Sequence, residues 1–250
     1  MSLTSEEWHQ RFLQQAQWTK GFRAYIFPRI GFSRADRILD IGCGTGALME
    51  EWNPRERQAL VGGDLNEAFL NLAMRNYPGG TFFCGDAHHL PFPAETFEIS
   101  FNHYLLLWVE DPVQVVEEMK RVTKSGGVVL ALAEPDYGGR IDYPPPLDTI
   151  QDRQIASLDA QGADPKRGRK LRRIFHEAGV KEIKTGVFEG QWAAPPDQRD
   201  WEMEWKILEN DLKELISPEM LNALKEADLD AWRKGHRTLF LPTFYAWGKV

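Results

Sequence analysis

The stretch Arg37-Ile-Leu-Asp-Ile-Gly-Cys-Gly-Thr-Gly-Ala47 constrains this chain more than any other. Ile38, Leu39 and Ile41 read as a short buried strand, and Gly42, Gly44 and Gly46 as the turn that follows it. Ala47, Leu48 and Met49 read as the opening of a helix that stops near Trp52, before Pro54. A strand that runs through closely spaced glycines into a helix brings bare backbone close to a ligand, with helix N–H groups facing it.

The spacing Gly42-x-Gly44-x-x-Ala47 also satisfies the dinucleotide fingerprint, so spacing alone leaves two ligand classes open. Asp40, two residues before the first glycine, separates them. A pyrophosphate laid over this turn would face that carboxylate at short range, with a repulsion on the order of several kcal/mol at low effective dielectric. A ligand carrying an ammonium and a sulfonium would be attracted instead. S-adenosylmethionine (SAM) is such a ligand, and the electrostatics favour it over NAD.

Further acids follow at the ends of later strands. Ala59-Leu-Val-Gly-Gly-Asp64 reads as a second strand, and Asp64, followed by Leu65, lies about twenty residues beyond the turn, where a ribose-binding carboxylate belongs. Thr81-Phe-Phe-Cys reads as a third strand, after which Asp86 and Ala87 stand where a carboxylate and backbone could read an adenine. Phe97–Asn102 reads as a fourth strand running into His103 and Tyr104, and Val128–Ala133 as a fifth, all-apolar strand. Asp111-Pro112 opens the helix between them. His88 and His89 have no third ligand at useful spacing, so no metal site is expected.

The flanks read differently. Residues from Thr4 to Trp18 carry Trp8 and Phe12 at helical spacing, and residues 1–30 are expected to lie over the sheet as a cover. Its aromatics either pack on the core or, with Trp18, Arg23 and Tyr25, reach the ligand. The segment from Glu134 to Pro146, rich in Pro and Gly, reads as a loop at the same sheet edge and a candidate for acceptor contact. Val180–Trp192 reads as a long strand, residues 192–236 as a helical insertion, and Thr238–Val250 as a terminal strand made irregular by Pro242. The basic run from Lys166 to Arg173 reads as a solvated helix start.

Bulk properties narrow the classes. No stretch approaches ~20 uninterrupted apolar residues, so no membrane span is expected, and Met1-Ser-Leu-Thr-Ser-Glu-Glu lacks the order of a signal peptide. Cys43 and Cys84 are the only cysteines, which suits a cytoplasmic chain with reduced thiols. A net charge of −7 argues against a broad nucleic-acid footprint. Oligomeric state is not legible.

As an ordered set, Leu39-Asp-Ile-Gly-Cys-Gly-Thr-Gly46, Asp64, Gly85-Asp86-Ala87, Leu90-Pro-Phe-Pro93, Phe97 to Trp108 and Lys124-Ser-Gly-Gly127 resemble the class I SAM-dependent methyltransferases, in particular the small-molecule group of ubiquinone/menaquinone-biosynthesis type. The resemblance covers roughly residues 35–135. It implies an α/β, Rossmann-like, doubly wound seven-stranded sheet in a single domain, with an antiparallel last strand beside the fifth. It gives Asp40, Gly42, Cys43, Gly44 and Gly46 the methionine end of SAM, Asp64 the ribose, Asp86 and Ala87 the adenine, and Asn102 a backbone contact near the sulfonium. S-adenosylhomocysteine would be the product. The Asp/Asn-Pro-Pro-Tyr signature of amino-methylating DNA enzymes is absent; Asn102-His-Tyr-Leu stands in its place.

The expected activity is transfer of a methyl group from SAM to a small acceptor, aromatic or apolar, by in-line displacement. The family supplies no universal base. His103, then Tyr104 and Asp136, are the candidates if the acceptor must lose a proton. A SAM-binding regulator without turnover, and less so an NAD-dependent dehydrogenase, are the competing readings.

Overall fold

Five parallel strands carry the middle of the computed structural model, which describes residues 3–49, 59–188 and 195–250. They are β1 (Arg37–Ile41), β2 (Ala59–Asp64), β3 (Thr81–Cys84), β4 (Phe97–Asn102) and β5 (Thr123–Pro135). β7 (Lys181–Phe188) and β9 (Thr243–Lys249) complete a seven-stranded sheet in the order β3-β2-β1-β4-β5-β9-β7. β9 runs antiparallel to both of its neighbours.

The central strands are apolar on both faces because both are covered. Leu39 and Ile41 of β1 and Val129 and Ala131 of β5 meet the inner faces of α4 (Pro112–Val122) and α6 (Leu171–Glu177). The alternate residues, Ile38, Leu130 and Leu132, meet Phe22, Ile26 and Ile30 of α2 (Lys20–Ile30) on the opposite face. α3 (Glu67–Asn76) starts on an Asn66 cap, and Asp111 caps α4 in the same way, its Oδ1 accepting from Val113 and Gln114.

The sheet order reverses between β1 and β4, where Ile41 pairs in register with Asn102. Crevices at such switch points are where open α/β sheets bind ligands. α1 (Ser5–Trp18), closed at its start by a Thr4/Glu7 capping box, contacts α3 and the helix Gln198–Leu212 (α7). α5 (Ile150–Ala160), α7 (Gln198–Leu212) and α8 (Pro218–Arg233) share a separate apolar cluster around Trp205, Leu208 and Leu224.

Three local expectations change. The 134–146 segment is not all loop: β6 (Ile141–Tyr143) pairs antiparallel with β8 (Thr238–Phe240). The terminal strand is therefore two strands, parted at Pro242, which has no N–H for a ladder. After the glycine turn, Ala47 and Leu48 are turn residues and Met49 bonds back three residues to Gly46. The rest of the helix read there, and the end of the Val180–Trp192 strand, lie outside the described residues. No helix among them is long and apolar enough to cross a membrane.

Candidate active site

A cavity of about 450 Å³ opens at the switch point, within the usual range of ligand sites of roughly 300–1,000 Å³. Its floor is the glycine turn with Asp40 and Asp64; one wall is His103, Tyr104 and Leu105; α1 closes it with Trp8, Phe12 and Gln15.

The turn depends on glycine for two reasons at once. Gly42 and Gly44 lie at φ +72° and +55°, and a Cβ on them would stand 2.8 Å from Leu105 Cδ1 and 2.9 Å from Phe12 Cε2. The N–H groups of Gly42 and Cys43 both donate to Gly63 O, at 2.7 and 3.0 Å, and that of Gly44 donates to Asp64 Oδ2 at 2.8 Å. The expectation that amides here face a ligand is thus not met at these three residues. Their donors are already engaged, which leaves a phosphate little to bind.

The acids are poised the other way. Asp40 is 1% exposed, and its Oδ1 is buried without a hydrogen-bond partner. Burial, then the neighbouring Asp64, pushes its carboxyl well above the ordinary range. Asp64 is also pushed up by burial, while its Oδ1 accepts from the Asn66 N–H at 2.8 Å. Among the described residues no Lys, Arg or His pairs with either acid. Two mutually repelling carboxylates in one cavity, one with an unpartnered oxygen, suit a cationic ligand with hydroxyls. SAM fits that donor set, and a diphosphate does not.

The other site candidates divide. Cys43 lines the cavity and Gly46 shapes its turn. Leu65, Asp86 and Ala87 follow the carboxyl ends of β2 and β3 but lie outside the lining. Leu65 is exposed, and Asp86 Oδ1 is bonded to His88 Nδ1 at 2.7 Å. The Asn102 side chain turns away to Met119 Sδ, and Asn102 is not part of the lining. Trp18 lies under the Arg11 guanidinium, outside the lining. Arg23 is buried behind the wall, where its Nη1 donates to Thr19 Oγ1 at 2.5 Å and to Ala16 O at 2.7 Å.

His103 lines the cavity with Nε2 3.0 Å from Thr19 Oγ1, and burial with the Arg23 charge pushes its pKa well below the ordinary histidine value. Tyr104, at φ +56°, is held by its N–H on Ala133 O, and burial pushes its phenol up, so it stays protonated. Asp136 is apart from both: it does not line the cavity, and Arg169 holds its two oxygens at 2.5 and 2.7 Å. The basic run is accordingly not just a solvated face.

Sequence reasoning passed over five contributors. Trp8 and Phe12 looked like the buried stripe of a helix, yet they form the cavity's ceiling, with Phe12 edge-on to Phe69 at 5.4 Å. His9 Nδ1 reaches Thr45 Oγ1 at 2.8 Å and ties α1 to the glycine turn. Thr19 supports His103. Glu134, fully buried, accepts from the N–H groups of Leu105, Leu106 and Leu107 and so holds the loop that meets Gly42. A helical period is common to core and ceiling, and no local signal marks the other three.

Residues 39–131 match the methyltransferase domain family. The chain is 32% identical over 155 residues to an uncharacterised methyltransferase of Schizosaccharomyces pombe, covering 56% of this chain and 54% of that protein. It is 34% identical over 137 residues to a ubiquinone/menaquinone biosynthesis C-methyltransferase of Desulfotalea psychrophila, covering 52% and 53%. The aligned part thus spans about half the length of these relatives. In fold it is similar to a SAM-dependent methyltransferase of Archaeoglobus fulgidus, with a TM-score of 0.57 at 18% identity over 94% of each chain.

Proposed function

We propose that this chain, a class I SAM-dependent methyltransferase in its fold and in the family of its residues 39–131, transfers a methyl group from SAM to a small neutral acceptor. The observation that carries the reading is the pair of buried Asp40 and half-buried Asp64 beside a turn whose first three amides are already bonded.

When bound, SAM supplies an activated methyl on sulfur. The chain's residues then have three tasks. Asp40 draws the cationic methionine end inward, and Asp64 accepts from the ribose hydroxyls with the lone pairs that Gly44 and Asn66 leave free. Leu65, Asp86 and Ala87 are the candidates for the adenine end, at the rim. The ceiling of Trp8, Phe12 and Phe69 excludes water and aligns the acceptor; alignment of two reactants is worth up to roughly 7–11 kcal/mol. His103 is the group suited to take a proton from the acceptor, being neutral and in the wall.

The walls also favour one acceptor class. They combine Trp8, Phe12, Phe69, Leu105 and Trp108 with two acids and carry no Lys or Arg among the described residues. An aromatic or apolar acceptor without a carboxylate or phosphate suits such a surface. Free Cys43 and Cys84 accord with a reducing compartment such as the cytoplasm, and the net charge of −7 with a partner other than nucleic acid.

Titration calorimetry tests the reading. SAM and S-adenosylhomocysteine are expected to bind and NAD not. Asp64→Ala should weaken SAM by 10- to 100-fold, about 1.4–2.8 kcal/mol. Binding of NAD without SAM would reject the assignment.

A further inference from the structure

Thr19 occupies the break between α1 and α2, at φ −98° and ψ 3°, and its side chain is buried. Four groups surround its Oγ1: Arg23 Nη1 at 2.5 Å, His103 Nε2 at 3.0 Å, and the carbonyl oxygens of Gln15 and Ala16 at 3.2 and 3.3 Å. A hydroxyl has one proton to give and two lone pairs to accept with. The guanidinium has only protons to give, so it takes one lone pair. The carbonyls can only accept, so they take the hydroxyl proton, as threonines in helices commonly arrange. One lone pair remains for His103, and that fixes Nε2 as the protonated nitrogen.

Each of the four contacts at Oγ1 then pairs a donor with an acceptor. The opposite assignment, with the hydroxyl donating to a bare Nε2, would turn oxygen lone pairs toward two carbonyl oxygens.

Resting on the methyltransferase reading above, we propose that Thr19, oriented by Arg23, is a positioning residue that holds neutral His103 as its Nε2–H tautomer and leaves Nδ1 bare as the atom that takes the acceptor's proton. Nδ1 has no hydrogen-bond partner among the described residues, on a ring that lines the cavity. Its titratable surroundings are Arg23 of α2 behind it, Tyr104 at 4.5 Å between ring centroids, and Asp40 and Asp64 across the cavity. Burial, and then the Arg23 charge, keeps the ring unprotonated before the reaction, and Nε2–H donation to Thr19 fixes its orientation. The proton taken up at Nδ1 gives an imidazolium in a cavity whose lining also holds Asp40 and Asp64. It returns to solvent after the product leaves.

The test reads the ring nitrogens directly. In full-length protein labelled with ¹⁵N-histidine, the His103 signals among the six histidines are assigned by their loss in His103→Gln. At pH 7.5 the wild type should show a protonated Nε2 and a bare Nδ1. Thr19→Val should lose that single tautomer, and Thr19→Ser should restore it. Thr19→Val should bind SAM within about twofold of wild type by calorimetry, since Thr19 lies outside the cavity lining. A protonated Nδ1 in the wild type, or an unchanged tautomer in a folded Thr19→Val protein, overturns the proposal. Failure of the wild type to bind SAM overturns the base role through the reading it rests on, while leaving the tautomer result intact.

Discussion

At Gly44 three demands meet in one residue. Its φ of +55° is costly for any residue with a Cβ, its Cβ position is 2.9 Å from the Phe12 ring, and its N–H holds Asp64 in place. Gly44→Ala therefore combines backbone strain of about 1–3 kcal/mol with a push on the ceiling that α1 provides. The domain has a sheet and core built elsewhere, so it should still fold, but SAM affinity should fall at least tenfold and the environment of Trp8 should change with it. Calorimetry and tryptophan fluorescence read both; an unchanged affinity would mean that the turn is not the cofactor's floor. Gly31 makes the contrast, because it sits at φ +73° with nothing within 4 Å of its Cβ position. An alanine there meets only the backbone strain.

The loop from Leu105 to Leu107 shows what separates the legible elements from the illegible. β1 and β2 could be read because each is a short apolar run whose end is announced by glycines or an acid. The loop after β4 is organised by Glu134, 27 to 29 residues away, and nothing near either stretch signals that pairing. The same holds for β6, whose partner β8 lies almost a hundred residues on, and for Thr19 with His103. Long-range partners settle these elements, and local composition is silent about them. Burial pushes Glu134 from the ordinary 4.5 to about 8. Its folded form thus holds a proton that its unfolded form has lost between those two values, and its contribution to stability falls as pH rises through that window. Glu134→Gln has no such titration and misplaces an N–H₂ against three backbone donors, at a cost of about 1–3 kcal/mol. Thermal melts should show a wide gap between wild type and variant at pH 5.5 and a narrower one at pH 8. A constant gap would place the titration elsewhere.

Across the whole molecule, the proposed function couples cofactor, sheet and protons at the switch point. With the cavity free of ligand, Asp40 and Asp64 resist ionising together, because Asp40 is buried, Asp64 is half-buried and each repels the other. Their raised values mean that the folded chain keeps protons that the unfolded chain gives up. Stability from this pair is accordingly greatest below the ordinary carboxylate range and declines as pH rises toward the folded values. A ligand with an ammonium and a sulfonium reverses the balance, since it favours the ionised acids. Binding must then expel protons, and by linkage the affinity must rise with pH over the same window. SAM added at about 100 times its Kd stabilises a fold by about 2.7 kcal/mol, so the coupling should be visible as a SAM-induced increase in Tm that is larger at pH 7 than at pH 5.5. Calorimetry at pH 6 in two buffers of different ionisation enthalpy should register net proton release, and Asp40→Asn should diminish both effects. Glu134 is the internal control, because its carboxyl faces backbone amides rather than the cavity. Removing it should change the pH slope of stability and leave the proton count of SAM binding as it was. Proton uptake on binding, or none, would mean that the paired acids are not what receives the cofactor's charge.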